Sequence, residues 1–411
     1  MALTDSISVF AEGTPEEQVQ ELVDYLVRGR SDEDREALVR EFAEAIESKE
    51  GQKPFNEDDE RRRQVFSRLL SEVKGLGDGN EKEIDGFFNM IYAHIFALYP
   101  LDSSEITEHV KILLQVISSA STDKPSRKYR ILSNLFNAIP RTSHLRSLVY
   151  ATILEIATDK DELEVLNLSR STVEKWLSEW DISNMDKAAF AKTVADGYVK
   201  CDQREKAYEY SLTSVRLLPA ASAESHAAAF NLIADALRLP SVFNFDPLIK
   251  LDVVVAVKNH ELFSLLQIFL NNGLAEFQTW LANHPDTLKE YDLDKSHLER
   301  KIRLLTLTSL SFKYIGQDLP YSKISETLQI DLAGVETWII DVIRAGLVWG
   351  KMSQTNQALH VVRSTARVFE KEQWETLEKR VLAWKTTLTG VLDVVATAKR
   401  HNGIITPPQA A

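Results

Sequence analysis

The most regular alternation of apolar and polar positions lies near the end of the chain. Between Lys371 and Lys399, the residues Trp374, Leu377, Val381, Trp384, Leu388, Val391 and Val395 recur in steps of three and four. That spacing is a heptad seam, the pattern with which one helix packs against another. A different succession precedes it. Tyr321 to Leu328 reads as a short helix, and Asp331 to Gly346 as a second with Asp331 as its N-cap. Val335, Trp338, Ile339, Val342 and Ile343 share one face of that second helix, and Gly346 is placed to end it in the left-handed conformation. Leu347 to Ser353 and Ala358 to Phe369 read as strands joined by the polar turn Gln354 to Gln357. Helix, turn, helix and hairpin is the order of a winged helix. Simple alternation puts Val361, Arg363, Thr365 and Arg367 on one face of the last strand, and Val362, Ser364, Ala366 and Val368 on the other.

Upstream the pattern is helix after helix. Pro15 to Arg28 starts behind Thr14, a plausible N-cap, with Pro15 at the first helical position and Glu16 and Glu17 in the first turn. Asp32 to Ser48 and Arg61 to Val73 follow. From Asp85 to His297, segments with apolar residues at three- and four-residue spacing end at Pro, Gly or short polar turns. Short connections favour antiparallel neighbours. No alternating strand-like run appears before residue 347, which argues against a βαβ fold and the nucleotide sites such folds carry. The expected fold is therefore mainly α, an α-solenoid of degenerate helical hairpins. Leu298 to Ile315 should join it to the winged module, with Leu298, Ile302, Leu305, Leu310 and Tyr314 facing that module. The expected domains are an acidic helical region with loops (1–85), the solenoid (86–297), the winged helix (298–369), the heptad helix (370–399) and a disordered tail (400–411).

Composition narrows the function. The chain has 411 residues, 44% hydrophobic and 27% charged, ordinary values for a globular protein. A single cysteine, Cys201, excludes a disulfide scaffold and fits a reducing, cytoplasmic setting. No uninterrupted apolar run is long enough for a membrane span, and the first residues do not resemble a secretory signal. Asn167-Leu168-Ser169 is read as a chance match to a glycosylation acceptor. The net charge of −13 is unevenly spread: residues 1–100 hold 23 acidic and 12 basic side chains, residues 300–369 hold 5 and 9.

That local basicity changes the reading of the wing only in part. Glu336 and Asp341 would face phosphates if the second helix entered a DNA groove, with Arg344 as the one base beside them, so DNA recognition is disfavoured. Lys351, His360, Arg363 and Arg367 form a basic wing that could make a weak RNA contact; a solvated strand face is the plainer reading. Gly75, Gly77 and Gly79 lack the spacing of a phosphate-binding loop and read as a flexible linker. No HExxH, GxSxG, HxH or HxxxH pattern occurs among the catalytic and metal motifs, and the nine histidines are scattered. The chain is expected to be no enzyme, with no cofactor and no metal.

Several stretches carry a family resemblance. RILSNLFNAIP (130–140), FNFDPLIKLDVVVAV (243–257), the block 323–369 and WETLEKRVLAWKTTL (374–388) closely resemble the PCI family of scaffold subunits, and within it the branch found in eukaryotic translation initiation factor three. The resemblance implies a right-handed solenoid ending in a winged helix and a terminal helix. It implies a non-catalytic subunit whose partners are the other PCI subunits of that factor and, through the complex, the small ribosomal subunit. The wing would pair edge to edge through the region of Lys351, His360, Val361, Arg363, Thr365 and Arg367, and the heptad seam from Trp374 to Val395 would enter a helical bundle. Proteasome-lid and signalosome scaffolds share the architecture and remain the alternative.

Overall fold

Side-chain capping sets most helix boundaries. The Thr14 hydroxyl accepts the Glu17 amide while the Glu17 carboxylate accepts the Thr14 amide, a reciprocal capping box. Asn80 and Glu83 repeat it. Ser31, Asp58, Ser103, Ser169, Ser183, Ser222 and Asp294 each accept an amide of the first turn they precede. The computed structural model describes residues 13–47, 53–121, 125–166, 168–220, 222–368 and 371–402. The expectations for residues 1–12, Asn167, Phe369 and the tail beyond Asn402 lie outside these.

The chain forms two compact units, Met1–Leu218 and Pro219–Ala411. In the first, the helices are α1 (Pro15–Leu26), α2 (Asp32–Ile46), α3 (Asp59–Glu72), α4 (Glu81–Leu98) and α5 (Ser104–Ser119). They continue with α6 (Pro125–Ala138), α7 (Leu145–Asp159), α8 (Arg170–Glu179), α9 (Asn184–Lys200) and α10 (Arg204–Leu217). Alternate helices stack: α7 packs on α5 and α9, and α4 packs on α6. That is how helical hairpins bury apolar faces that none could bury alone. An aromatic ladder runs through the core, with ring centroids 5.4 Å apart for Phe136 and Tyr150, 4.5 Å for Tyr150 and Trp176, and 4.9 Å for Trp180 and Phe190. The glycine cluster before α4 is no linker. Gly77 has φ +77°, and a Cβ there would stand 2.5 Å from the ring of Tyr25, whose hydroxyl donates to the Leu76 carbonyl at 2.9 Å. The glycines let the chain close over that ring.

The second unit contains α11 (Ala223–Arg238), α12 (Asp246–Ile249), α13 (Asp252–Ala256), α14 (Glu261–Asn271), α15 (Leu274–Asn283), α16 (Thr287–Glu290) and α17 (Lys295–Lys313). The winged module follows as β1 (Asp318–Pro320), α18 (Tyr321–Leu328), α19 (Val335–Arg344), β2 (Val348–Ser353) and β3 (Ala358–Ser364), and α20 (Lys371–Asn402) ends the unit. Leu319, Tyr321, Ile324, Leu328, Val335, Ile339, Val342, Val348, Leu359 and Val361 form one buried cluster. From α17, Leu304 and Leu307 enter that cluster, with Leu310 and Tyr314 against it. Leu298, Ile302 and Leu305 are buried but outside the cluster, so Leu304 and Leu307 take the place expected for those three. Asp331 makes no side-chain cap, because a 3-10 turn, Leu332–Gly334, separates it from α19. Gly346 does take the left-handed conformation, φ +68°.

Candidate interaction surfaces

The wing is a three-stranded antiparallel sheet of order β1-β3-β2. β3 is its centre, not an edge. The Val361 amide donates to the Gln317 carbonyl at 3.1 Å, and the Val361 carbonyl accepts the Gly316 amide at 2.8 Å. On the other side, Trp349 stands opposite Arg363 and Gly350 opposite Val361, so Val362 is an extra residue, a β-bulge. Gly350 is what lets the strands close there: a Cβ on it would lie 2.5 Å from the His360 carbonyl oxygen. Among the described residues the sheet has two edge strands, β1 of three residues and β2 of six, so the longer open edge is the outer side of β2.

The bulge overturns the expected faces. Val361 is fully buried in the wing core, on the inner face with Leu359, whereas Arg363 is exposed on the outer face. Strict alternation fails because the inserted Val362 shifts the phase by one residue. Lys351 and His360 are exposed with Arg363. Thr365 is half-buried and bonds the Leu347 carbonyl through its amide, 2.9 Å, and its hydroxyl, 3.1 Å. Arg367 is no free basic group. Its guanidinium donates to the Leu305 carbonyl at 2.8 Å and the Asn272 carbonyl at 2.6 Å, and burial pushes its pKa down to about 10. It ties the segment after β3 to α17 and to the end of α14.

The seam of α20 is open. Leu377, Val381, Trp384, Leu388, Val391 and Val395 are between 41% and 67% exposed, and Trp374 is exposed to 61%. Leu382, Leu392 and Val394 are exposed outside the seam. The Arg380 guanidinium lies 5.5 Å above the Phe312 ring. By length and composition, Leu377–Lys399 would also pass for a membrane span, a property the uninterrupted-run criterion did not reveal. Lys385 and Asp393 interrupt it, and the heptad period accounts for part of its apolar content.

A buried cation at the wing end of the second unit escaped the sequence reading. Lys301 is 2% exposed, and its Nζ donates to the carbonyls of Ala236, Leu237 and Leu239 at 2.7, 3.3 and 2.6 Å, the last turn of α11. The Phe243 and Phe245 rings lie 5.8 and 5.1 Å from it. Burial pushes its pKa down to about 7. The signal was present: Lys301 stands next to Ile302 on the apolar spacing Leu298, Ile302, Leu305. As for reactive groups, burial and a hydrogen bond with Asp161 push the Cys201 thiol up, opposite to the shift an activated nucleophile needs.

Comparison with known proteins matches these surfaces to a family. The PCI domain model covers residues 281–363, and a model described as "eIF3 subunit M, C-terminal helix" covers 367–395. The eukaryotic translation initiation factor 3 subunit M of Phaeosphaeria nodorum is 33% identical over 407 residues, spanning 96% of this chain and 89% of that protein. The chain belongs to the subunit M family of eukaryotic translation initiation factor 3. The Aspergillus oryzae subunit M is 29% identical over 96% of this chain and 87% of its own length. The Dictyostelium discoideum subunit M is 28% identical over 78% of this chain and 80% of its own length. In this chain, the motifs behind the resemblance are packing words. Arg130 pairs with Asp85 at 2.8 Å and Glu81 at 3.2 Å, Phe136 heads the aromatic ladder, and Phe243 and Phe245 face Lys301.

Proposed function

We propose that the chain is a non-catalytic scaffold in eukaryotic translation initiation factor 3, joined to neighbouring subunits through two surfaces of its second unit. The observation that carries this is the open seam of α20. Six large apolar side chains at heptad spacing, Leu377, Val381, Trp384, Leu388, Val391 and Val395, face solvent along one helix. Leaving such a stripe in water costs free energy that partner helices would recover. The outer edge of β2 is the second surface, since an unpaired strand edge templates pairing with another sheet. In this reading residues 86–297 support the docking module, 298–369 present the wing and 370–399 enter a helical bundle. Of the residues expected at the wing interface, Lys351 lies on the edge strand β2, His360 and Arg363 lie on the central β3 with Thr365 just beyond it, and Val361 and Arg367 hold the wing together. The assembly would act in the cytoplasm, supporting small-ribosomal-subunit binding and mRNA recruitment.

The test is affinity purification of the tagged full-length chain from its own cell extract, with subunits identified by mass. Stoichiometric recovery of initiation factor 3 subunits is expected. Recovery of proteasome-lid or signalosome subunits in their place would overturn the proposal.

A further inference from the structure

The outward side chains of the wing sheet have no part in either docking surface. Opposed residues of antiparallel strands point to the same face. Trp349 opposes Arg363, Lys351 opposes His360, and His360 opposes Asp318. Lys351 lies two residues from Trp349, so all five occupy the outer face. Trp349 is 41% exposed, and the Arg363 guanidinium stands 4.6 Å above its ring. The His360 ring nitrogen Nδ1 lies 2.7 Å from the Asp318 carboxylate. Asp318 is the one acidic group in this set, and it sits on β1, two strands from Trp349, roughly 9–10 Å away.

We propose that this face binds single-stranded RNA, with a base stacked on the Trp349–Arg363 pair and adjacent phosphates held by Lys351 and His360. Charge and shape favour this occupant over a protein. The lone aromatic is bordered by Arg363, Lys351 and His360, and Val362 in the bulge is the one large apolar side chain that β3 exposes beside them, because Leu359 and Val361 are buried on the inner face. A protein interface core is depleted of charge and needs a contiguous apolar patch. A flat ring and a planar guanidinium beside the Lys351 ammonium match what an unpaired nucleotide presents, a π-face beside an anion. A duplex hides its base faces and gains little from such a platform. The one other carboxylate near the hairpin tip, Glu336, accepts from the Gln354 amide at 3.0 Å. Strand pairing at the β2 edge uses backbone groups and leaves this face free, so the inference stands apart from the scaffold reading.

The experiment is fluorescence anisotropy of a labelled decauridylate titrated with the full-length chain at about 50 and about 200 mM salt. Binding that weakens with salt is expected. Trp349→Ala should weaken it about tenfold, the scale of one lost base–aromatic stack, while Trp349→Phe retains most of it. Lys351→Ala should weaken binding and flatten the salt dependence, and Lys111→Ala on α5 should change neither. These side chains are exposed, and far-ultraviolet circular dichroism checks that each variant is folded. No binding by the wild type at the lower salt would overturn the proposal, as would equal affinity for an RNA duplex or an unchanged affinity in Trp349→Ala. Trp349-dependent binding of a decaglutamate peptide without binding of decauridylate would make the face a protein dock and overturn it equally.

Discussion

Lys301 Nζ and the Leu239 carbonyl oxygen are 2.6 Å apart in a region almost closed to water. A lysine thus ends α11, supplying from α17 a donor to carbonyls that have no partner within their own helix. Burial holds its pKa near 7, against about 10.4 in an unfolded chain. Between those values the unfolded state binds more protons, so stability contributed at this site rises with pH across that window and is flat below it. The expectation is that wild type gains stability relative to Lys301→Met as pH climbs from about 7 to about 10. Urea midpoints at several pH values would show it; parallel curves would refute it.

Gly77→Ala should destabilise the chain by about 1–3 kcal/mol, since the new methyl would strike the Tyr25 ring at a left-handed backbone position. Gly75→Ala is the control, because nothing lies within 4 Å of its Cβ site. Denaturant unfolding of the two variants decides it, and equal midpoints would mean the turn does not depend on contact with Tyr25.

Two prolines should separate folding from docking. The Val361 amide and carbonyl turn toward β1, so His360 turns toward β2, and the Met352 amide on β2 turns outward. Met352→Pro should leave the wing folded and block pairing at its edge. Val361→Pro should unfold the wing, because it removes a bond at the centre of the sheet. Assembly with purified neighbouring subunits, beside a thermal melt, distinguishes them; full assembly by Met352→Pro would show that the edge is not used.

Leu388→Asp should leave the melting temperature of the isolated chain within about 1 °C, the scale of a surface substitution, because Leu388 is 62% exposed. It should abolish stoichiometric incorporation into the complex. A large drop in melting temperature would instead place the seam against the chain's own body.

Much of this was legible in the sequence because it rests on local rules. Caps such as Thr14, the left-handed Gly346 and the heptad seam depend on residues a few positions apart. The faces of β3 were not legible. An inserted Val362 has no mark in the sequence, and the Gly350 that admits it reads only as a weak strand residue until the His360 carbonyl is seen above it. β1 was missed since three residues, one of them proline, carry no period. Lys301 was passed over and Arg367 misread for one reason. A cation satisfied by backbone carbonyls distant in sequence looks, in one dimension, like any solvated charge. Neither the helix–helix–hairpin order of the wing nor the apolar stripe on α20 required such long-range information.

Arg367 has a mechanical meaning. α20 runs for 32 residues, an arm of about 48 Å at 1.5 Å per residue. Arg367 precedes its first residue by four positions and is clamped to two carbonyls on different helices. A swing of roughly 10° at the base of so long an arm would carry its tip about 8 Å, more than a full helical turn. That would put every seam residue out of step with its counterpart. The clamp therefore works as a bearing for the segment that leads into α20, seated on α17 and on the residue that caps α14, four positions before the arm begins.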